Sequence, residues 1–197
     1  MIVFYRILSE SPNIQKISLM LEEVGLPFTV KYVDAHNTDE PDADFFKISP
    51  GGTVPAIVDT EMGVSIFESG AILYYLAEKS GKLLPANLKE RTEVVKWLMF
   101  EVANVCPAMI EMHHYIMNDA GDIPDAIFER YRNRLVSCCS ILEKQLEGRE
   151  FLGGEYSIAD IAIYPWVVTL EDMADINLSD YPNLKNWAKT IGDRAGG

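Results

Sequence analysis

Ser9, Ser11 and Asn13 cluster where an apolar, β-rich run gives way to a helical pattern. Open backbone N–H groups and the positive end of a helix dipole favour an anion at such a point, so a thiol held there ionises more readily. A serine hydroxyl or an asparagine amide can donate a hydrogen bond to the resulting thiolate. Ser11 or Asn13 acting only as a helix cap fits the same residues. Val54-Pro55 follows the turn Ser49-Pro50-Gly51-Gly52-Thr53 and leads into a strand. An X–Pro bond admits the cis isomer at about 0.5–1 kcal/mol, and a cis bond would turn the Val54 N–H and C=O outward, towards an extended, peptide-like ligand. A trans proline opening a strand fits as well. Glu68-Ser69 opens a later helix, where Ser69 and the first N–H groups suit a carboxylate and Glu68 suits an ammonium. These are the two charges of an α-amino acid; Ser69 as a plain N-cap is the alternative.

The elements that must position these residues follow from hydrophobic spacing. Ile2 to Tyr5 reads as a strand feeding a helix whose Ile17, Met20, Leu21 and Val24 share one face and which Gly25 stops. Phe28 to Val33 alternates as a second strand, and a short helical stretch surrounds Phe45 and Phe46. Ala56 to Val58 and Val64 to Phe67 are strands joined across Glu61-Met62-Gly63, and Ile72, Leu73, Leu76 and Ala77 repeat at helical spacing. The order β-α-β-α-β-β-α predicts an open-sheet α/β domain over 1–80. Residues 81–88, with Pro85, read as a linker, and 89–197 as an all-helical domain with helices near 89–118, 124–147, 157–171 and 183–192. Ser157 to Asp160 has the form of a capping box with aspartate at its fourth position, Tyr156 and Ile161 stand at the hydrophobic-staple positions, and Trp166 and Trp187 read as core.

Composition narrows the partners. The 197 residues carry 30 acidic and 17 basic side chains, a formal charge of -13, so the field of the molecule repels phosphate backbones and anionic headgroups. Nucleic acid and membrane are poor partners. No apolar run approaches the ~20 residues of a spanning helix, and the opening Met1 to Arg6 lacks the features of a signal peptide. The expected location is cytoplasmic. Cys106, Cys138 and Cys139 form neither a disulfide framework nor a Cys-x-x-Cys, so any thiol chemistry needs a borrowed sulfur, and Cys106 reads as a buried, inert thiol. No metal is expected, because adjacent His113 and His114 diverge by about 100° on a helix and cannot share one ion. Met109, Met112, His113 and Tyr115 read as the edge of a second-substrate cleft, or else as helix-packing residues.

Taken in order, Ser11-Pro12-Asn13-Ile14-Gln15-Lys16, Ser49 to Ala56, and Phe67-Glu68-Ser69-Gly70-Ala71-Ile72 with Tyr75 to Lys79 resemble the glutathione-site segments of the glutathione transferases, and the likeness runs over essentially the whole chain. It is nearest to the bacterial Nu class. The resemblance implies a thioredoxin-like N-terminal domain, an all-α C-terminal domain, a homodimer, and glutathione as cosubstrate. It also implies roles: Ser11 and Asn13 beside the glutathione sulfur, Val54 with a cis Pro55 on the cysteinyl backbone, Glu68 and Ser69 on the γ-glutamyl end, and Arg130 as a further glutathione contact. A surface ion pair fits Arg130 equally. In the family the Ser157 element nucleates the helical core. The resemblance thus implies a glutathione-dependent enzyme that conjugates a small electrophile or reduces a disulfide.

Two departures from the family pattern stand out. The loop His36 to Asp44 carries four acidic residues where relatives offer basic or amide groups to the glycyl carboxylate, which leaves Asn37, His36, Lys47 or a partner subunit to compensate. The start is also longer between Tyr5 and Asn13, which brings Ser9 forward as a rival to Ser11. The acidic loop favours the alternative of a non-catalytic, glutathione-transferase-like binding or assembly module. The intact Val54-Pro55 and Glu68-Ser69 pairs oppose it.

Overall fold

The computed structural model describes residues 1–34, 43–117 and 124–195, so His36 and Asn37 lie outside the described residues. The chain divides into two compact units, Met1–Leu84 and Pro85–Gly197.

In the first unit the elements run β1 (Ile2–Arg6), α1 (Pro12–Val24), β2 (Phe28–Tyr32), α2 (Ala43–Ile48), β3 (Ala56–Asp59), β4 (Val64–Phe67) and α3 (Ser69–Ser80). The sheet order is β2-β1-β3-β4, with β1 and β2 parallel and the other pairs antiparallel. This is the thioredoxin-like arrangement expected from the sequence. Pro12 opens α1, where its missing N–H costs nothing, and Gly25 closes it in the left-handed region at φ 70°, donating to the Leu21 carbonyl. The buried face of α1 carries Ile14, Ile17, Met20, Leu21 and Val24, and also Lys16.

Asp59, at the end of β3, is fully buried. Its carboxylate accepts from the Tyr75 hydroxyl at 2.7 Å, from Lys79 at 2.9 Å and from the Glu61 N–H at 3.0 Å, tying the β3–β4 hairpin to α3. Burial pushes this carboxyl up, but those hydrogen bonds outweigh it and hold the group far below the usual carboxylate range. Burial, together with the hydrogen bond to Asp59, raises the Tyr75 phenol to about 12. Because the folded carboxyl is the stronger acid, its contribution to stability is fully present above the unfolded value of about 3.9 and is lost as pH falls from there towards the folded value. Asp59→Asn is expected to cost about 2 kcal/mol at neutral pH. It should also flatten the acid limb of a plot of thermal midpoint against pH; an unchanged acid limb would show that Asp59 does not set it.

The second unit is helical: α4 (Leu88–Phe100), α5 (Cys106–Met117), α6 (Asp125–Gln145), α7 (Ile158–Val167), α8 (Leu170–Ala174) and α9 (Pro182–Ala195). The helix expected over 89–118 is interrupted by a π-helical turn, Glu101–Val105. Pro107 is the cause, since it has no N–H for the Ala103 carbonyl four residues back. That carbonyl accepts instead from Arg134 on α6 at 2.8 Å. The helix expected over 157–171 is split as well, where the Thr169 hydroxyl donates to the Trp166 carbonyl at 2.9 Å and the Thr169 N–H bonds the same carbonyl at 3.2 Å.

The capping box at Ser157 and Asp160 is present. Trp166 and Trp187 are core residues whose indole N–H groups donate to the buried carboxylates of Glu101 (2.8 Å) and Asp160 (2.9 Å). Met109 and Met112 are fully buried in helix packing, which corrects the cleft reading for them, whereas His113 is exposed and Tyr115 packs against Phe128 with the rings tilted at 46°. Cys106 is half-buried and not fully buried as expected, while Cys138 and Cys139 are buried. Burial raises the Cys139 thiol to about 12, which makes it a poor nucleophile. Among the described residues, no helix is long and apolar enough to cross a membrane.

Candidate functional site

The register of the sheet gathers the three sequence segments at one end. Tyr5 of β1 pairs with Ala56 of β3, and Ala56 pairs with Phe67 of β4. The chain leaves β1 towards Ser11, enters β3 from Val54-Pro55 and leaves β4 into Glu68-Ser69, so these three strand ends lie along one row. The carboxyl end of β2 joins the same row, since Arg6 pairs with Tyr32 and its carbonyl accepts from the Val33 N–H at 2.9 Å. A pocket of about 480 Å³ lies there, lined by Ile7, Leu8, Ser9, Tyr32, Val33 and Asp34. Ser9 is exposed on this rim.

Ser11 is the N-cap of α1 and accepts from the Ile14 N–H at 3.4 Å. Capping and ligand contact are compatible, because a hydroxyl that accepts at a cap still has its O–H to donate. Asn13, in the first turn of α1, accepts through Oδ1 from Lys16 Nζ at 2.7 Å and from the Ser69 hydroxyl at 3.2 Å, and Lys16 Nζ also reaches Ser69 Oγ at 3.5 Å. Residues 56 positions apart in sequence therefore touch. Lys16 was not singled out by sequence reasoning, although the signal was present: it lies four residues before Met20 on the apolar stripe of α1, where a solvated lysine is out of place.

The Val54–Pro55 bond is cis, with Val54 half-buried and Pro55 buried. The loop before it is fixed locally. The buried Ser49 hydroxyl donates to the Thr53 carbonyl at 2.9 Å, and Gly52 sits at φ 66° with the Phe46 ring so close that a Cβ would meet it at 2.8 Å. Only glycine fits both conditions. Glu68 is exposed and stands at φ 68°, a left-handed value uncommon for a residue with a side chain, and its carbonyl starts α3 by accepting from the Ile72 N–H at 3.0 Å. Backbone strain of this kind persists where the surroundings over-determine it, and it is concentrated at functional sites.

Arg130 is exposed on α6 of the second unit and is not among the residues that the first unit brings together. Lys47 is exposed on α2 and paired with Asp44 at 2.8 Å. The assembled row therefore offers two helix N-termini, a hydroxyl, an amide, a backbone edge and a carboxylate within one unit. That set can hold a zwitterionic peptide and present a donor to an anionic sulfur.

The N-terminal domain family of glutathione S-transferases matches residues 10–79, and the C-terminal domain family matches residues 125–190. The chain is 40% identical over 190 residues to the disulfide-bond oxidoreductase YfcG of Escherichia coli, covering 93% of this chain and 87% of the relative. It resembles the crystal structure of a glutathione transferase family member from Pseudomonas fluorescens with two glutathione bound, at a TM-score of 0.86 and 34% identity, covering 98% of this chain and 89% of that one. It also resembles a Pseudomonas putida glutathione transferase with one glutathione disulfide bound per subunit, at a TM-score of 0.85 and 32% identity, over 96% of this chain and 85% of the other.

Proposed function

The chain belongs to the glutathione S-transferase family, and from that premise we propose a glutathione-dependent enzyme of the transferase or disulfide-reductase kind, with residues 1–80 as its glutathione-binding domain, 81–88 as linker and 89–197 as helical domain. The observation that carries the reading is the contact between Asn13 and Ser69, which joins the thiol and γ-glutamyl segments in one site. In it Glu68 holds the ammonium, and the backbone N–H of Ser69 with the other first N–H groups of α3 holds the carboxylate of the γ-glutamyl group. Val54 pairs with the cysteinyl backbone, and Ser11 and Asn13 donate to the sulfur at the positive end of α1. Arg130 is a further glutathione contact, and the enzyme works as a homodimer in the cytoplasm.

All three cysteines lie beyond residue 84, so the first unit supplies no thiol of its own. Glutathione must then provide the nucleophile. In reduction, its thiolate attacks one sulfur of a disulfide, a new S–S bond forms, and the departing thiolate takes up a proton. A second glutathione thiolate attacks the mixed disulfide, releases the other thiol and leaves oxidised glutathione. In conjugation the same thiolate adds to an electrophilic carbon.

Calorimetric titration with reduced and with oxidised glutathione tests the assignment. Binding of either is expected, with Glu68→Ala weaker by about ten- to a hundredfold, the range of a charged hydrogen bond at about 1.5–3 kcal/mol. Tighter binding of the oxidised form would favour the reductase. Binding of neither would overturn the enzyme reading in favour of an assembly module.

A further inference from the structure

Lys16 is 0% exposed, yet it ends in an ammonium that must be satisfied where it lies. Its Nζ donates to Asn13 Oδ1 at 2.7 Å and reaches Ser69 Oγ at 3.5 Å, while the Ser69 hydroxyl donates to the same Asn13 oxygen at 3.2 Å. A lysine ammonium has donors only, so the Asn13 atom facing it is the carbonyl oxygen and not the amide nitrogen. With Oδ1 turned to two donors, a ligand on the opposite side of the Asn13 amide meets N–H and not a lone pair. That is the group a thiolate needs, whereas a flipped amide would present an oxygen lone pair to the sulfur and repel the anion.

We propose that Lys16 is a positioning residue for the reaction: it fixes the Asn13 amide with its donor face towards the glutathione sulfur and braces it against Ser69, so that the thiolate is stabilised by an oriented N–H. The inference rests on the assignment of the site to glutathione. Lys16 touches neither the sulfur nor the γ-glutamyl group in this scheme; it acts through Asn13. Its location on the buried stripe of α1, packed against α3, explains why a charged side chain occupies a core position: an apolar residue would fill the space and leave the amide free to turn.

The test is the ionisation of bound glutathione, followed by the ultraviolet absorbance of the thiolate across a pH titration at saturating ligand. Wild-type protein should ionise the bound thiol below the pH at which free glutathione does. Lys16→Met should move that midpoint up by about one pH unit, with about tenfold less thiolate well below it, while glutathione affinity changes little. In an Asn13→Ala background the same substitution should add almost nothing, because the route runs through Asn13. Asn13→Asp keeps an oxygen for Lys16 and Ser69 and so leaves the fold intact, but it replaces the N–H pair with a second acceptor. It should raise the midpoint more than Asn13→Ala does, and it decides the question if Lys16→Met does not fold. A Lys16→Met midpoint equal to wild type, an undiminished shift in the Asn13→Ala background, or an Asn13→Asp midpoint equal to wild type would each overturn the role of Lys16 while leaving the glutathione site standing. A wild-type protein that binds no glutathione, or does not lower the midpoint, would overturn the site assignment itself.

Discussion

Asp160→Ala is expected to cost the helical unit about 3–5 kcal/mol, enough to unfold it or leave it barely folded. One buried carboxylate there holds three parts of the unit together. Oδ1 accepts from the Leu152 N–H at 3.0 Å and from the Trp187 indole at 2.9 Å, and Oδ2 accepts from the Ser157 N–H and hydroxyl, each at 3.0 Å. The turn before α7, the first turn of α7 and a tryptophan on α9 are thereby fixed to one side chain. Burial holds the Asp160 carboxyl above the usual carboxylate range, and the donors from Leu152, Trp187 and Ser157 offset only part of that rise. Alanine leaves those donors buried with nothing to accept them and opens a cavity besides. Asparagine is no remedy, since it turns an N–H pair towards groups that also donate. Denaturant unfolding followed by tryptophan fluorescence and circular dichroism measures the loss. A change below about 1 kcal/mol would mean that the donors find other acceptors and that the carboxylate is not the organising group.

The second large effect concerns Glu68, where two demands meet in one residue. Its side chain is assigned to the ligand ammonium, while its backbone at φ 68° carries strain of about 1–3 kcal/mol. Alanine removes the first and keeps the second; glycine removes both. Glu68→Ala and Glu68→Gly should therefore lose glutathione affinity by a similar factor of about ten to a hundred. They should part in stability. The glycine variant is expected to melt at or above the wild-type temperature, even though glycine adds about 0.5–1 kcal/mol of unfolded-state entropy. The alanine variant is expected to stay at the wild-type value. Thermal unfolding of both variants without ligand decides it, and a glycine variant that melts well below the alanine variant would show that no strain is stored at this position.

The segments of the candidate site were legible in the sequence because each is built from local chemistry: a polar turn before a helix, a proline at the mouth of a strand, an acid and a hydroxyl opening a helix. Their convergence was not legible from those segments alone. It depends on the pairing of Tyr5 with Ala56 and of Ala56 with Phe67, which are choices of strand order and register made across the chain; only the family resemblance supplied it in advance. The burial of Lys16 was missed because residue type argued for solvent while position on the stripe argued for the core, and position prevailed once Asn13 and Ser69 were there to satisfy the ammonium. Pro107 was visible all along as a helix breaker, and the continuous periodicity on either side of it hid the π turn. Met109 and Met112 show the reverse case, since a methionine at helical spacing has the same pattern whether it lines a cleft or fills a core.

The hydrogen bond between Asn13 and Ser69 has a consequence for how the protein comes into being. During synthesis α1 leaves the ribosome well before α3, and until residue 69 has emerged and the intervening strands have paired, the amide of Asn13 cannot meet it. The proposed ligand site is thus among the last features of its domain to exist. A molecule that binds there discriminates finished chains from nascent or misfolded ones, and its cellular concentration becomes part of the quality control of the protein.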